Sequence, residues 1–569
     1  MAVSDTDPAK RRPAAGPPAP AVLDPQHAGD IVAALGTLAQ DEENRPRPWR
    51  RKLRLLLIIL GPGLIVMGGG NDAGGVQVYL QLGQDYGMRL LWTLMLLFPI
   101  LYVCQEMVLR LGAVSGVGHG RLIFARFGAF WGCFAVGDLF IINAVTVTAE
   151  FIGVEQGLAY FGLSSAVAVP ASAALLFLVM AGGSYRSWER FLIGLVIADF
   201  VVFPIAYFVH TSVAASAAGA VPSLPGGVNA GILLLVVAVV GTTVEPWQMF
   251  FQQSSVVDKR ITPRWINYER MDTLIGVLIE VAGALVLMAA AAFGLAHTAA
   301  SGNYTDLGAT MSALQRHVGR GAGALLALVT VDGSLIGANL TALTIGYTLG
   351  DVTSGRIRHS LHWKPRQAPF FYALYAVLVA LGAVVTLAWA DQLGVVINGV
   401  EALNGVLLPS ALVFLVLLAN DRAVLGPWVN GTAHNWACGI IVWAVTTFSL
   451  APVVTTFYPN VTLRQIVIAF LACTALGLAA AAVIWRRPSR GRPAGPVADT
   501  GRRPPGMDRA EWRAVLRERR LAWRTPRIDT LERPAASAAR WVGLLTLRAY
   551  IVFAIVIVVI KLVQTATAR

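Results

Sequence analysis

Apolar residues in this chain run in long stretches instead of alternating with polar ones. Residues 53–66, 90–108, 166–180, 231–240, 274–295 and 549–563 are dominated by Leu, Val, Ile, Ala and Phe. They anchor stretches near or above the ~20 residues a helix needs to cross a bilayer. The pattern predicts an all-α polytopic membrane protein with twelve spans in a core, residues 50–486. Residues 1–49 are Pro- and Ala-rich without an apolar run, and are expected to form a disordered arm. Residues 487–540 form an Arg/Pro-rich tail, in which 508–524 has the pattern of a short amphipathic helix on the membrane surface. Residues 541–569 are expected to add one further transmembrane helix, with Lys561 snorkelling at its end.

Two of the core spans are interrupted. The first carries Gly68-Gly69-Gly70-Asn71-Asp72-Ala73-Gly74-Gly75, five glycines in eight residues. Each glycine costs about 1 kcal/mol against Ala in a helix. The sixth is interrupted at Gly241-Thr242-Thr243-Val244-Glu245-Pro246, where Pro246 removes a backbone donor and clashes with the preceding turn. The first break opens spans one to five and the second opens spans six to ten. Polar breaks at matching positions in two halves mark the binding site of a transporter. Unwound backbone at membrane depth survives only where it is buried in protein or lines a cavity.

Composition supports the membrane reading. The 569 residues are 56% hydrophobic and 14% charged, against about 25% charged in a soluble domain. The net charge is +13, and Arg and Lys crowd alternate loops: 50–54, 121–126, 186–190, 259–270, 356–366 and the tail. This is the positive-inside pattern of a multi-pass plasma-membrane protein with a cytoplasmic N-terminus. A basic tail also suits anionic lipid, whereas nucleic acid would need a recognition fold that is missing. Cys104, Cys133, Cys438 and Cys473 sit in apolar runs without metal or redox spacing, and are expected to be small buried hydrophobes.

Acids stand out inside the spans: Asp72, Glu106, Asp138, Glu150, Glu155, Asp199, Glu245, Glu280, Asp332 and Glu401. One Asp at a helix centre costs roughly 2.5–3.5 kcal/mol on insertion scales. Glu106 and Glu155 can lie near helix ends and cost little. Asp72 and Glu245, on the broken spans, are candidate cation ligands.

These residues resemble a family. Gly61-Pro62-Gly63, Asp72-Ala73-Gly74-Gly75, Leu80-Gln81-Leu82-Gly83 and Tyr86-Gly87 are similar to the first helix of the natural resistance-associated macrophage protein (NRAMP) family. Gln105 with Arg110-Leu111-Gly112 resembles its second helix, and Glu150-Phe151-Ile152-Gly153 its third. Thr243-Val244-Glu245-Pro246-Trp247 and Ser254-Ser255 resemble its sixth, and Asp272-Thr273 the start of its seventh. Leu408-Pro409-Ser410-Ala411-Leu412, Gly426 and Val429-Asn430 resemble the tenth helix and the loop after it. The resemblance covers roughly residues 50–485. It implies a LeuT-type inverted five-plus-five repeat with broken helices 1 and 6. It also implies proton-driven import of a divalent metal, with the metal as cargo and no cofactor.

The chain departs from the family where chemistry is concentrated. The family's Asp-Pro-Gly-Asn break becomes Asp72-Ala73-Gly74-Gly75, so Gly75 replaces the Asn ligand. Its Met-Pro-His break becomes Glu245-Pro246-Trp247, so a soft sulfur and a proton-relaying His are both lost. Val147 replaces an acid of the third helix. Glu401 and Asp332 stand near positions where the family usually has Gln. A carboxylate in place of a thioether makes the site harder and more anionic. Oxygen ligands from Asp72, Glu245 and the Thr242 carbonyl suit Mg²⁺, Ca²⁺ or Mn²⁺, and Gly75 is expected to leave room for a hydrated ion. This resembles the magnesium-carrying branch of the family. Trp247 cannot relay protons as His does, so weak or absent proton coupling is expected. Glu150, Glu280, Asp332 and Glu401 are candidates for a substrate or proton pathway.

A rival reading on the same scaffold is a carrier of an organic cation or amino-acid-type solute, held by acids and by Trp247, Trp92 and Tyr79. Converging carboxylates favour metal over this reading; a large aromatic box favours the organic cation. A non-transporting sensor is a further alternative. An enzyme is not expected, since no nucleophilic triad, phosphate loop or His-Glu-x-x-His run occurs.

Overall fold

The computed structural model describes residues 21–39, 48–225, 227, 230–388, 393–449, 463–486, 507–531, 534 and 537–549. A short antiparallel strand pair comes first, β1 (Ile31–Ala33) and β2 (Gly36–Leu38), in register Ile31↔Leu38. Then follow α1 (Trp49–Ile59), α2 (Pro62–Gly68), α3 (Ala73–Tyr86), α4 (Leu91–Ser115) and α5 (His119–Phe127). Next are α6 (Ala129–Ala159), α7 (Ser165–Ala181), α8 (Tyr185–Ala198), α9 (Phe203–Phe208) and α10 (Val213–Gly219). The second half brings α11 (Ala230–Thr243), α12 (Pro246–Asp258), α13 (Ile266–Gly294), α14 (Leu307–His317) and α15 (Arg320–Val352). It ends with α16 (Pro369–Ala388), α17 (Leu393–Ala419), α18 (Arg422–Leu425), α19 (Thr432–Ser449), α20 (Leu463–Arg486) and α21 (Arg509–Ala522).

Among the described residues, seven helical stretches are long and apolar enough to cross a membrane, or nine if each of two bent pairs counts as one span. The expected further span at 541–569 has helix over 538–549, and its remainder lies outside the described residues. Leu96, Ile141, Ile197 and Val377 are exposed on these helices, as suits a surface that faces lipid. Cys104 and Cys438 are buried as expected, but Cys133 is exposed and Cys473 partly so.

The core forms where α6 runs along α15, where α13 packs on α2, α3 and α4, and where α11 packs on α17. Glycines set these approaches, because hydrocarbon lipid gives helices no hydrophobic reason to associate and close backbone contact must do it. A Cβ on Gly83 of α3 would overlap the Met288 carbonyl of α13, and one on Gly63 would lie 2.6 Å from the Thr273 nitrogen.

Polar groups of the resemblance motifs turn out to be struts. Asp272 on α13 accepts the N–H groups of Gly61 (3.2 Å), Gly63 (2.7 Å) and Leu64 (3.2 Å), and so caps α2 from another helix. Arg110 donates to the Trp428 carbonyl and to Asn430 Oδ1, both at 2.5 Å. Glu106 is paired with Arg270 (2.5 Å) and Arg110 (3.1 Å). Lys259 and Glu189 form a fully buried ion pair at 2.6 Å, and Lys259 Nζ also donates to the Ile59 and Leu60 carbonyls at 2.8 Å. Those extra bonds matter, because a buried pair needs them to offset desolvation.

The expectation of a disordered arm fails for residues 21–39. Asp24, His27, Ile31, Ala33 and Leu38 are buried against the helical body. Hydropathy misses this because the segment is anchored by polar bonds, not by an apolar run.

Two predictions follow from this packing. Gly83→Ala should lower the melting temperature of the purified protein, at an overpacking cost of about 1–3 kcal/mol. An unchanged melt would show that α3 and α13 are not in backbone contact. His359, in the loop after α15, is the second case. Burial lowers its pKa, but the bond to Asp351 at 3.2 Å and the charge of Asp24 outweigh it and raise it to about 9. The folded value lies above the unfolded one of about 6.5. The stability gained is therefore complete below about pH 6.5 and lost as pH rises through about 9. The melting temperature should fall over that interval, and fall less in His359→Gln.

Candidate metal centre

Both sequence breaks are breaks in the backbone. After α2, Gly69–Asn71 make a single 3-10 turn, and Asp72 is extended (φ −71°, ψ −171°) before α3 begins. After α11, Glu245 is extended (φ −92°, ψ 143°) and α12 starts at Pro246. Each acid is thus the residue just before a restarted helix, where free N–H groups and the helix dipole favour negative charge. Asp72 Oδ1 accepts the Gly75 N–H at 2.9 Å. Glu245 donates its own N–H to Gln248 Oε1 at 3.3 Å. Its carboxyl leans over the first turn of α12 in a capping-box pose, yet neither oxygen reaches a partner in hydrogen-bond geometry.

Three more acids surround the breaks. Glu150 on α6 accepts the Ala73 N–H at 3.1 Å, and its carboxyl is a close neighbour of Asp72. Glu401 on α17 abuts Gly74, accepts from Asn404 Nδ2 at 3.3 Å and faces the Thr242 hydroxyl. Glu280 on α13 abuts Gly70, and both its oxygens are without a partner. Asp72, Glu245 and Glu280 are 0% exposed, and Glu150 and Glu401 are 1% exposed. The charged neighbours of Glu245 are Asp72, Glu401, Glu150 and Glu280. Among the described residues, none of the five is ion-paired with Lys, Arg or His.

The glycines of neighbouring helices admit these acids. A Cβ on Gly337 of α15 would lie 2.9 Å from Asp72 Cβ and 2.7 Å from Glu150 Cδ. Gly333 and Gly337, one turn apart on α15, were not singled out from the sequence, although that spacing signals a close approach. Asn404, Gln248 and Asn71 also belong to the surroundings and were missed.

Other expected residues are placed differently. Gly75 does not open space for a hydrated ion, since its Cβ position lies 2.5 Å from the Gly70 carbonyl oxygen. Trp247 is buried beside Gly69 and against Phe251, with its Nε1 unpartnered. Asp332 has Asp199 as its charged neighbour, and Asn71 sits against Asp199. Trp92 donates to the Ser223 carbonyl, and the Tyr79 hydroxyl meets Thr243 Oγ1 at 3.1 Å. Among the described residues, no ring contact joins Trp247, Trp92 and Tyr79 to one another; the ring contact of Trp247 is with Phe251. Among the described residues, no three His, Cys, Asp or Glu side chains sit at metal-ligand spacing. The five acids ring the two breaks without closing on one point.

The profile of natural resistance-associated macrophage protein-like (Nramp) sequences matches residues 63–455. The chain belongs to the Nramp family. It is a multi-pass membrane transporter and not an enzyme. The divalent metal cation transporter MntH of Ralstonia nicotianae is 27% identical over 409 residues, covering 67% of this chain and 86% of that protein. MntH 1 of Pseudomonas aeruginosa is 26% identical over 402 residues, with 66% and 87% covered. The crystal structure of the Eremococcus coleocola manganese transporter, in complex with an aromatic bis-isothiourea substituted compound, shares the fold. Its TM-score is 0.55 at 16% identity, over 77% of this chain and 95% of that one. The α12 end and the Arg110–Asn430 strut both lie within the Nramp-matched region, whereas β1, β2 and α21 lie outside it.

Unpaired buried carboxyls cost stability, and the cost should be measurable in this Nramp protein. Glu245→Gln and Glu280→Gln should each stabilise the metal-free protein by roughly 1–3 kcal/mol and so raise its melting temperature. A drop in either variant would mean that the carboxyl makes a stabilising contact.

Proposed function

We propose that this Nramp protein carries a hard divalent cation, Mg²⁺ or Mn²⁺, by alternating access with weak or no proton coupling. The observation that carries the reading is the pair Asp72 and Glu245. Both are fully buried, neither has a basic partner among the described residues, and each stands just before the helix that restarts after a break. Their charge is balanced by a cation or by protons. The ligands assigned are the carboxylates of Asp72 and Glu245 and the carbonyl of Thr242, an all-oxygen set that suits hard cations. The cation is cargo, and no cofactor is invoked. The names of the MntH relatives support a divalent metal as substrate.

In this reading the chain has the LeuT-type arrangement of twelve core spans in two inverted halves of five plus two more. The basic loops lie in the cytoplasm, and the tail rests on anionic lipid. Glu245 in place of a thioether disfavours soft transition metals. Trp247 in place of a relay His argues for movement down the electrochemical gradient. An inward-negative potential supplies about 4.6 kcal/mol per 100 mV for a divalent ion, twice the single-charge value. Glu150, beside Asp72, together with Glu280 and Glu401, supplies the residual proton route. Asp332, with Asp199, is assigned to the approach to the site.

Uptake into proteoliposomes tests this, with Mg²⁺, Mn²⁺ and Ca²⁺ offered in turn, an internal pH dye and a clamped potential. Entry should follow the potential without acidification. Asp72→Ala and Glu245→Ala should abolish uptake while leaving the protein folded. Glu245→Met should shift preference toward soft metals. Strict co-transport of protons, or unchanged selectivity in Glu245→Met, would overturn the corresponding part of the assignment.

A further inference from the structure

Residues 21–38 lie outside the Nramp-matched region, yet they are bolted onto it. Asp24 accepts the His359 N–H at 3.0 Å and the Trp363 Nε1–H at 3.0 and 3.1 Å. His27 lies 3.5 Å from Asp258, the last residue of α12, with its ring edge-on to His359 at 5.0 Å. Arg260, two residues beyond the end of α12, donates to the Gln26 carbonyl (2.7 Å), the Asp30 carbonyl (2.8 Å) and Gln26 Oε1 (3.1 Å).

The β1–β2 turn is held by α8. The Ala34 N–H donates to Glu189, Arg190 donates to the Ala34 carbonyl at 2.9 Å, and Arg186 reaches Thr37 Oγ1 at 2.8 Å. Glu189 is also the partner of Lys259, which grips the last carbonyls of α1. A Cβ on Gly36 would touch Ile58 of α1 at 3.2 Å. One short segment thus bridges the end of α12, the start of α8, the end of α1 and the loop after α15. α1 leads into the first broken span, and α12 completes the second.

We propose that residues 21–38 are a strap that holds this face of the transporter closed, and that the transport cycle requires its release. The proposal rests on the alternating-access reading above. An alternating-access cycle must part the ends of the broken spans on this face. The strap crosses between those ends through at least four side chains, Asp24, His27, Glu189 and Arg260. It is a local closure added to a family core, and it gives this chain a gate that can be opened or held without touching Asp72 or Glu245.

The test uses the full chain with Cys133 and Cys473 replaced by Ala. Thr37→Cys and Arg186→Cys are joined by a bismaleimide with a cleavable disulfide spacer, and Mn²⁺ and Mg²⁺ uptake is measured in proteoliposomes. Tethering should cut uptake by about tenfold or more, as expected for a gating step, and reductant should restore it. Uptake at the untethered rate after complete cross-linking would overturn the proposal. Independently, Ile58→Cys is labelled with an impermeant maleimide, with and without Asp24→Ala and Arg260→Gln. Loosening the strap should speed labelling several-fold, and equal rates would overturn the proposal. If the untethered protein moves neither ion, the carrier reading fails on its own, while the labelling still decides whether the strap shields this face.

Discussion

Five carboxyl groups lie buried around two interruptions in the helical backbone, and among the described residues no basic side chain pairs with them. Hydrocarbon surroundings make each one expensive. The fold offsets part of that cost for four of them. Asp72 and Glu245 sit at helix starts, and Glu150 accepts the Ala73 N–H. Glu401 has Asn404, whereas Glu280 has no hydrogen-bond partner among the described residues. In the reading proposed above, the charge left unbalanced is what a transported cation would neutralise.

Glycine is what brings these groups together. At Gly70, Gly74 and Gly337 an added Cβ would strike a carboxyl of the cluster. The glycine-rich first break therefore does more than unwind a helix, because two of its glycines are the surfaces on which Glu280 and Glu401 rest. This also explains why Gly75 adds no free volume. The space that a side chain would fill is taken by the Gly70 carbonyl across the turn.

Much of this was legible in the sequence. Clustered glycines and Pro246 announced both breaks, since each violates helix chemistry inside an apolar run. The acids were visible for the same reason. Four of the expected pathway and ligand residues, Glu150, Glu245, Glu280 and Glu401, gather with Asp72, while Asp332 keeps company with Asp199. Long-range polar ties were not legible. Nothing local marks Asp272 as the cap of α2 more than 200 positions earlier, or Asp24 as the acceptor for His359 and Trp363. The folding of residues 21–39 escaped because composition measures apolar content, and this segment is fastened by directional bonds.

The Asp272 cap has a mechanical consequence. Three backbone donors of one helix end in a single carboxylate on α13, and Gly63 and Gly276 let the same two helices touch along their backbones. Shear between α2 and α13 would break all three bonds at once and expose a buried charge. In the alternating-access reading, the two helices would therefore move as one stiff lever that carries Glu280, and the joint would fall at the Gly69–Asn71 turn, immediately before Asp72, so that motion of the lever would change the spacing of charges.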